Sequence, residues 1–131
     1  MKGFNNRPQV VVTLTRGDDL LELTLHTLPP GWATMVRSAF KPPIENNSGK
    51  ITYRRDDPEW NDLYGLLVIG KALEPSGVLD TVVAGPRWEK VAHQLRDEFT
   101  AAGLTDGDLV KLAKALGDLN NVSEVRELRG N

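Results

Sequence analysis

At 131 residues, with 40% apolar and 26% charged residues, the chain is composed like an ordinary globular domain and has length for one core. A net charge of −2 gives no electrostatic case for nucleic acid or an anionic membrane as an obligatory partner. The absence of cysteine excludes disulfides, thiolate catalysis and Cys-based metal sites together.

Residues 1–8 are polar, carry a proline and lack the apolar core of a signal peptide, so they read as a mobile lead-in. The longest apolar run, Leu66-Leu67-Val68-Ile69, falls far short of the ~20 residues of a membrane span, and the expectation is a soluble intracellular protein. A β-hairpin is expected over 10–27. The β-branched run Val10-Val11-Val12-Thr13 faces Leu21, Leu23 and Leu25, which alternate with Glu22, Thr24 and His26. Between them, Arg16-Gly17-Asp18 spells a cell-adhesion tripeptide, but a glycine that supplies positive φ to a charged turn explains it.

Pro29-Pro30-Gly31 ends the second strand. A short helix follows over 32–40, with Trp32, Met35, Val36, Ala39 and Phe40 on one face. The turn-rich stretch 41–50 reads as a mobile loop. Ile51-Thr52-Tyr53 is either a short strand adding to the hairpin or merely extended. At 57–73 the helix start is explicit: Asp57 as N-cap, Pro58 at the first helical position, Glu59 in the first turn. Trp60, Leu63, Tyr64 and Leu67 repeat at the spacing of a buried stripe, and Leu66, Ile69 and Leu73 widen it, so apolar neighbours are expected on more than one side. Gly65 and Gly70 each cost about 1 kcal/mol in a helix, and close approach of another element is the expected compensation.

Glu74-Pro75-Ser76-Gly77 stops that helix, and residues 78–83 form a connector, a short strand or an extended packing segment. A second long helix starts at Gly85-Pro86 and runs to about Ala102, with Trp88, Val91, Ala92, Leu95, Phe99 and Ala102 inward and Gly103 as its stop. Thr105 and Asp108 form a capping box for a third helix, whose stripe is Leu109, Leu112, Ala113 and Leu116, with Leu104 placed to staple onto Leu109. Asn121-Val122-Ser123-Glu124 repeats the capping pattern for a short terminal helix through Leu128. The fold class is therefore α+β: one domain, with an N-terminal β-hairpin followed by a mainly α-helical bundle of three to five helices, the helical part spanning 57–128.

Catalytic and metal chemistry find little support. Histidine occurs twice, at His26 and His93, and no His/Asp/Glu cluster has a ligand spacing. Asp18-Asp19 and Asp56-Asp57 flank turns and helix starts, where capping and solubility explain them. With no phosphate loop or nucleophile elbow either, a non-enzyme without cofactor is expected. Residues 91–116 have the outline of a helix-turn-helix, but Asp106 and Asp108 would sit at the groove-entering end and repel DNA. Three tryptophans stand near helix starts. Core packing is the plain reading; the functional one is that Trp32, Trp60, Leu63, Leu67 and Trp88 line an apolar groove that takes a partner helix.

Three stretches resemble the tail assembly chaperones of long-tailed bacteriophages. Asp56-Asp57-Pro58-Glu59-Trp60 opens a helix ending Leu66-Leu67-Val68-Ile69-Gly70-Lys71-Ala72-Leu73, similar to that family's acid-Pro-acid-aromatic start and Lys-Ala-Leu finish. A Pro-rich loop after Leu28-Pro29-Pro30-Gly31-Trp32 precedes it. Ala101-Ala102-Gly103-Leu104-Thr105-Asp106-Gly107-Asp108-Leu109 is similar to the turn before the family's last long helix. The likeness covers residues between 28 and 109 and rests on structural signals. It implies a non-enzymatic protein of the host cytoplasm that binds the apolar helical tape measure protein and keeps it soluble until tail-tube protein polymerises and displaces it, with no cofactor, and with self-association left open. A small structural tail or connector protein retained in the virion is the alternative, and a helix-turn-helix regulator a third.

Overall fold

The computed structural model describes residues 2, 8–73 and 85–129. In chain order it contains β1 (Gln9–Arg16), β2 (Asp19–His26), α1 (Trp32–Ala39), β3 (Ile44–Asn47), β4 (Lys50–Tyr53), α2 (Pro58–Leu73), α3 (Gly85–Ala101) and α4 (Asp106–Arg129). The architecture is α+β, an antiparallel hairpin followed by helices, with a second small hairpin between the first two helices. The expected stop at 74–77, the connector at 78–83 and most of the lead-in lie outside the described residues. Among the described residues no helix is long and apolar enough to cross a membrane.

Strands β1 and β2 pair in the register Gln9↔His26 through Arg16↔Asp19, which places Val10, Val12 and Leu14 opposite Leu25, Leu23 and Leu21 on one face. Leu14 and Leu25 are buried and Val10, Val12 and Leu23 pack beside them, as the alternation requires. Gly17 takes φ +58° at the first of the two loop residues, the position where a type II′ hairpin turn needs glycine. The adhesion-motif arginine, Arg16, is committed elsewhere, as described below.

Helix α2 begins as its sequence predicts. Asp57 Oδ2 accepts the Trp60 N–H at 2.9 Å, and the Asp57 carbonyl accepts the first helical bond from Asn61 at 3.1 Å. Its residues then split between two apolar clusters. Trp60, Leu63, Leu66 and Leu67 join Trp32, Val36 and Phe40 of the α1 region and Trp88 and Ala92 of α3. Ile69 and Ala72 join Leu25 of β2 and Leu112 and Leu116 of α4. A helix packed from two sides loses its polar face, and even Lys71 is buried, which lowers its ammonium pKa below the usual 10.5 through desolvation.

Four expectations are corrected. Residues 41–50 are not a loop: β3 and β4 pair in the register Ile44↔Tyr53 to Asn47↔Lys50, closed by Ser48 (φ +55°) and Gly49 (φ +85°), the two positive φ values of a type I′ turn. Strand β4 therefore forms its own two-stranded sheet rather than extending the first hairpin. Helix α4 does not break at Asn121 but continues through Arg129. Finally, three stripe positions face out: Met35, Ala102 and Ala113 are exposed, the last replaced by a partly buried Ala115.

The junction of α3 and α4 uses consecutive caps. Gly103, at φ +81°, donates to the Thr100 carbonyl and Leu104 to the Phe99 carbonyl, both at 3.0 Å, the paired bonds of a Schellman stop. Two residues later the capping box closes. The Thr105 N–H donates to Asp108 Oδ2 at 2.9 Å, and the Asp108 N–H to Thr105 Oγ1 at 3.3 Å. Arg16 reaches this junction from the hairpin, pairing with Asp108 and donating to the Gly103 carbonyl at 3.1 Å. The Arg16 guanidinium, then the Thr105 N–H, hold the Asp108 carboxyl at a pKa of about 2, below its ordinary 3.8.

Because the folded-state value lies below the unfolded one, this carboxylate contributes stability that is complete above about pH 4 and is lost as pH falls towards 2. Thermal unfolding between pH 7 and pH 2 should therefore show an acid limb that Asp108→Asn or Arg16→Gln flattens, with a lower Tm at neutral pH in both. A limb unchanged by either variant would show that other carboxylates govern acid unfolding.

Candidate functional site

The residues expected to bind a partner lie in the core. Trp32, Trp60, Leu63, Leu67 and Trp88 all belong to the first apolar cluster, and Trp88 and Leu67 are completely buried. Trp60 shows what holds them there. Its Nε1 donates to the Phe40 carbonyl at 3.1 Å, and its ring stacks on Tyr64 with centroids 5.8 Å apart. Trp32 and Trp88 meet edge to face at 6.2 Å. These side chains position the helices, and Trp60 also lines a small surface depression. Sequence spacing could not separate the two roles, because core and groove positions share one helical period.

An open apolar surface does exist one helix face away. Between α2, α3 and α4 lies a cleft of about 570 Å³, floored by Leu66, Ile69, Phe99, Leu104 and Leu109. Each element contributes for a local reason. The Schellman stop, with Leu104 bonded back to the Phe99 carbonyl, places both residues in the lining of the cleft. The capping box then starts α4 at an angle fixed by Thr105 and Asp108, which sets Leu109 into the floor and leaves Val110, 66% exposed, on the wall. On α2, the lining runs from Asn61 to Ile69, about 12 Å along the helix axis, so the cleft spans about two turns of a helix laid along it.

Gly65 is the residue that opens it. The expected close approach at this position is absent, since a Cβ added here would meet nothing within 4 Å. Gly65 lines the cleft, where a larger side chain would occupy the space between the helices. Polar groups ring the mouth: Asn61, Asp62, Arg96, Thr100 and Asp106. An apolar floor with a polar rim is the anatomy of a site that takes an amphipathic segment.

Other chemistry is sparse among the described residues. No group of three or more His, Cys, Asp or Glu side chains there could hold a metal ion. His93 lies 4.0 Å from Glu89 one turn earlier, Asp57 is the α2 cap, and Asp56 lies 3.9 Å from Arg54. Asp108, half of the acidic pair at the start of α4, is committed to Arg16 and to its own capping box. Protein-family models, curated proteins and solved structures were compared with the chain, and none matches.

Gly65→Ala should stabilise the fold by about 1 kcal/mol, the helix-propensity difference, because the methyl meets no neighbour. A urea denaturation midpoint that rises at constant m-value is the expected readout; a fall would mean that an element does approach this position.

Proposed function

We propose that this protein is a non-enzymatic assembly chaperone of the phage-tail kind. In the host cytoplasm it binds the apolar, helical tape measure protein and keeps it soluble until tail-tube subunits polymerise around it and displace the chaperone. The observation that carries this reading is the cleft between α2, α3 and α4: apolar on its floor, polar on its rim, and open because Gly65 has no side chain. Its length suits about two turns of helix, a contact small enough for modest affinity and ready release. Many copies spaced along a long apolar-striped chain would cover what otherwise aggregates. Such binding requires no cofactor, nucleotide or nucleic acid.

A second reading is favoured by a different feature. On the β3–β4 hairpin, Ile44, Ile51 and Tyr53 share one face and are 63%, 67% and 44% exposed. A structural tail or connector protein, assembled as a homo-oligomer or against other subunits, would bury such a face permanently. Mass spectra of purified virions separate the two readings, because a chaperone is absent from them and a structural subunit is present.

Co-expression with a long, helix-rich tape measure protein should raise that chain's soluble fraction and yield a co-purifying complex. Gly65→Leu, which fills the cleft, and Val110→Glu, which charges an exposed wall, should each abolish the rescue while the circular dichroism melt is no lower than that of the wild type. If the wild-type protein neither rescues nor co-purifies, the chaperone reading is wrong.

A further inference from the structure

Next to the cleft, and sharing Asn61 with it, is a second depression of about 210 Å³ lined by Arg37, Arg55, Trp60, Asn61 and Tyr64. Two of these five residues are cations, and contacts fix the Arg37 side chain and the Arg55 backbone. Arg37, on α1, lies with its guanidinium 5.1 Å from the centroid of the Tyr64 ring, and its Nε donates to Tyr64 Oη at 3.2 Å. Tyr64 is in turn stacked on Trp60, which is anchored to the Phe40 carbonyl. Arg55 leaves the turn ahead of α2, and Asn61 Nδ2 fixes the backbone there, donating to the Arg55 carbonyl at 3.0 Å and the Asp57 carbonyl at 2.9 Å.

Neither guanidinium has a carboxylate partner among the described residues. Of the neighbouring acids, Asp57 caps α2 and Asp56 lies 3.9 Å from Arg54. Two like charges facing one small depression repel each other, and an anion between them converts that repulsion into attraction. The guanidinium fork matches a carboxylate in plane and spacing, and Arg37, already oriented by Tyr64, loses little freedom on binding one.

We propose that Arg37 and Arg55 form a carboxylate-binding subsite at the Asn61 end of the cleft, so that the preferred partner is an apolar-striped helix bearing a glutamate or aspartate just beyond its stripe. The inference rests on the reading of the cleft as a helix groove and adds what selects the segment that enters it. Hydrophobic stripes are common to many helices; a fixed carboxylate at the stripe's end is not. The rim thus supplies specificity, and the floor supplies area.

Two measurements on the full chain test the subsite and the groove separately. In the first, acetate is titrated at constant ionic strength against a chloride control, and the arginine Nε–H resonances are followed by NMR. Saturable shifts at Arg37 and Arg55, with Arg54 and Arg96 moving only as they do in chloride, are expected. Shifts shared by all arginines, or without saturation, mean a diffuse ion atmosphere only and overturn the proposal. In the second, the probe is a helical peptide of about 15 residues with a leucine stripe and a glutamate at each end, beside its glutamine twin.

Wild-type protein should bind the glutamate peptide about tenfold more tightly, as expected for charge-assisted bonds to a partly exposed carboxylate. Arg37→Gln or Arg55→Gln should erase the difference, and Arg37→Lys should restore only part of it. Both arginines are exposed, so the variants should keep the wild-type melt. Equal affinity for the two peptides overturns the proposal. Binding of neither peptide, with acetate saturating the two arginines, supports carboxylate recognition and overturns the groove reading on its own.

Discussion

Helix α2 is the element that the other contacts depend on, because one sixteen-residue segment closes two cores. Its first half meets α1 and α3, and its second half meets the hairpin and α4. This explains why the helix is apolar almost all round, why Lys71 is buried, and why its N-terminus is so strongly specified. A fraying first turn would release Trp60, and with it the Phe40 carbonyl and the Tyr64 stack that Trp60 anchors. Truncating a side chain placed like Trp60 typically costs about 3–5 kcal/mol, a large share of a small domain's stability. The Asp57 cap, worth about 1 kcal/mol on its own, guards a much larger interaction.

The hairpin and the helices meet at a second focus. Arg16 ends β1, Gly103 ends α3 and Asp108 begins α4, and the three come together through one guanidinium. The cleft is a by-product of this arrangement. Leu104 and Leu109 enter its floor because the stop and the start on either side of Thr105 leave the chain no other course. Both depressions border the helix that organises the core: Asn61 follows Trp60 directly and lines each of them.

Much of this was written in the sequence, and the exceptions have physical causes. The hairpin was legible because one face is buried and the alternation must show it; the α2 cap and the Thr105–Asp108 box were legible because caps are local. The β3–β4 hairpin was missed because neither strand is covered, so no core imposed a pattern on Ile44-Glu45-Asn46-Asn47. Only the Ser48-Gly49 turn pointed to it. Asn121 and Ser123 resemble caps, but a capping residue acts only where the backbone leaves the helix, and here it continues. At the site the failure was of another kind. Aromatic residues drew notice and pack in the core, whereas the cleft depends on Gly65, a missing side chain, and the depression beside it on Arg37 and Arg55, which lie on α1 and ahead of α2 and have no periodic relation to that helix.

The turn between α3 and α4 has a consequence for how the cleft meets a ligand. From Phe99 to Asp108, successive caps engage the chain with no slack: Gly103 and Leu104 bond backwards, and Thr105 and Asp108 bond to each other. A single inserted residue would pull Leu104 off Phe99 or separate Arg16 from Asp108, so this segment sets a ruler for chain length. A cleft whose width is set by such a ruler is formed without a ligand, so under the proposed function an entering helix would have only its own order to lose.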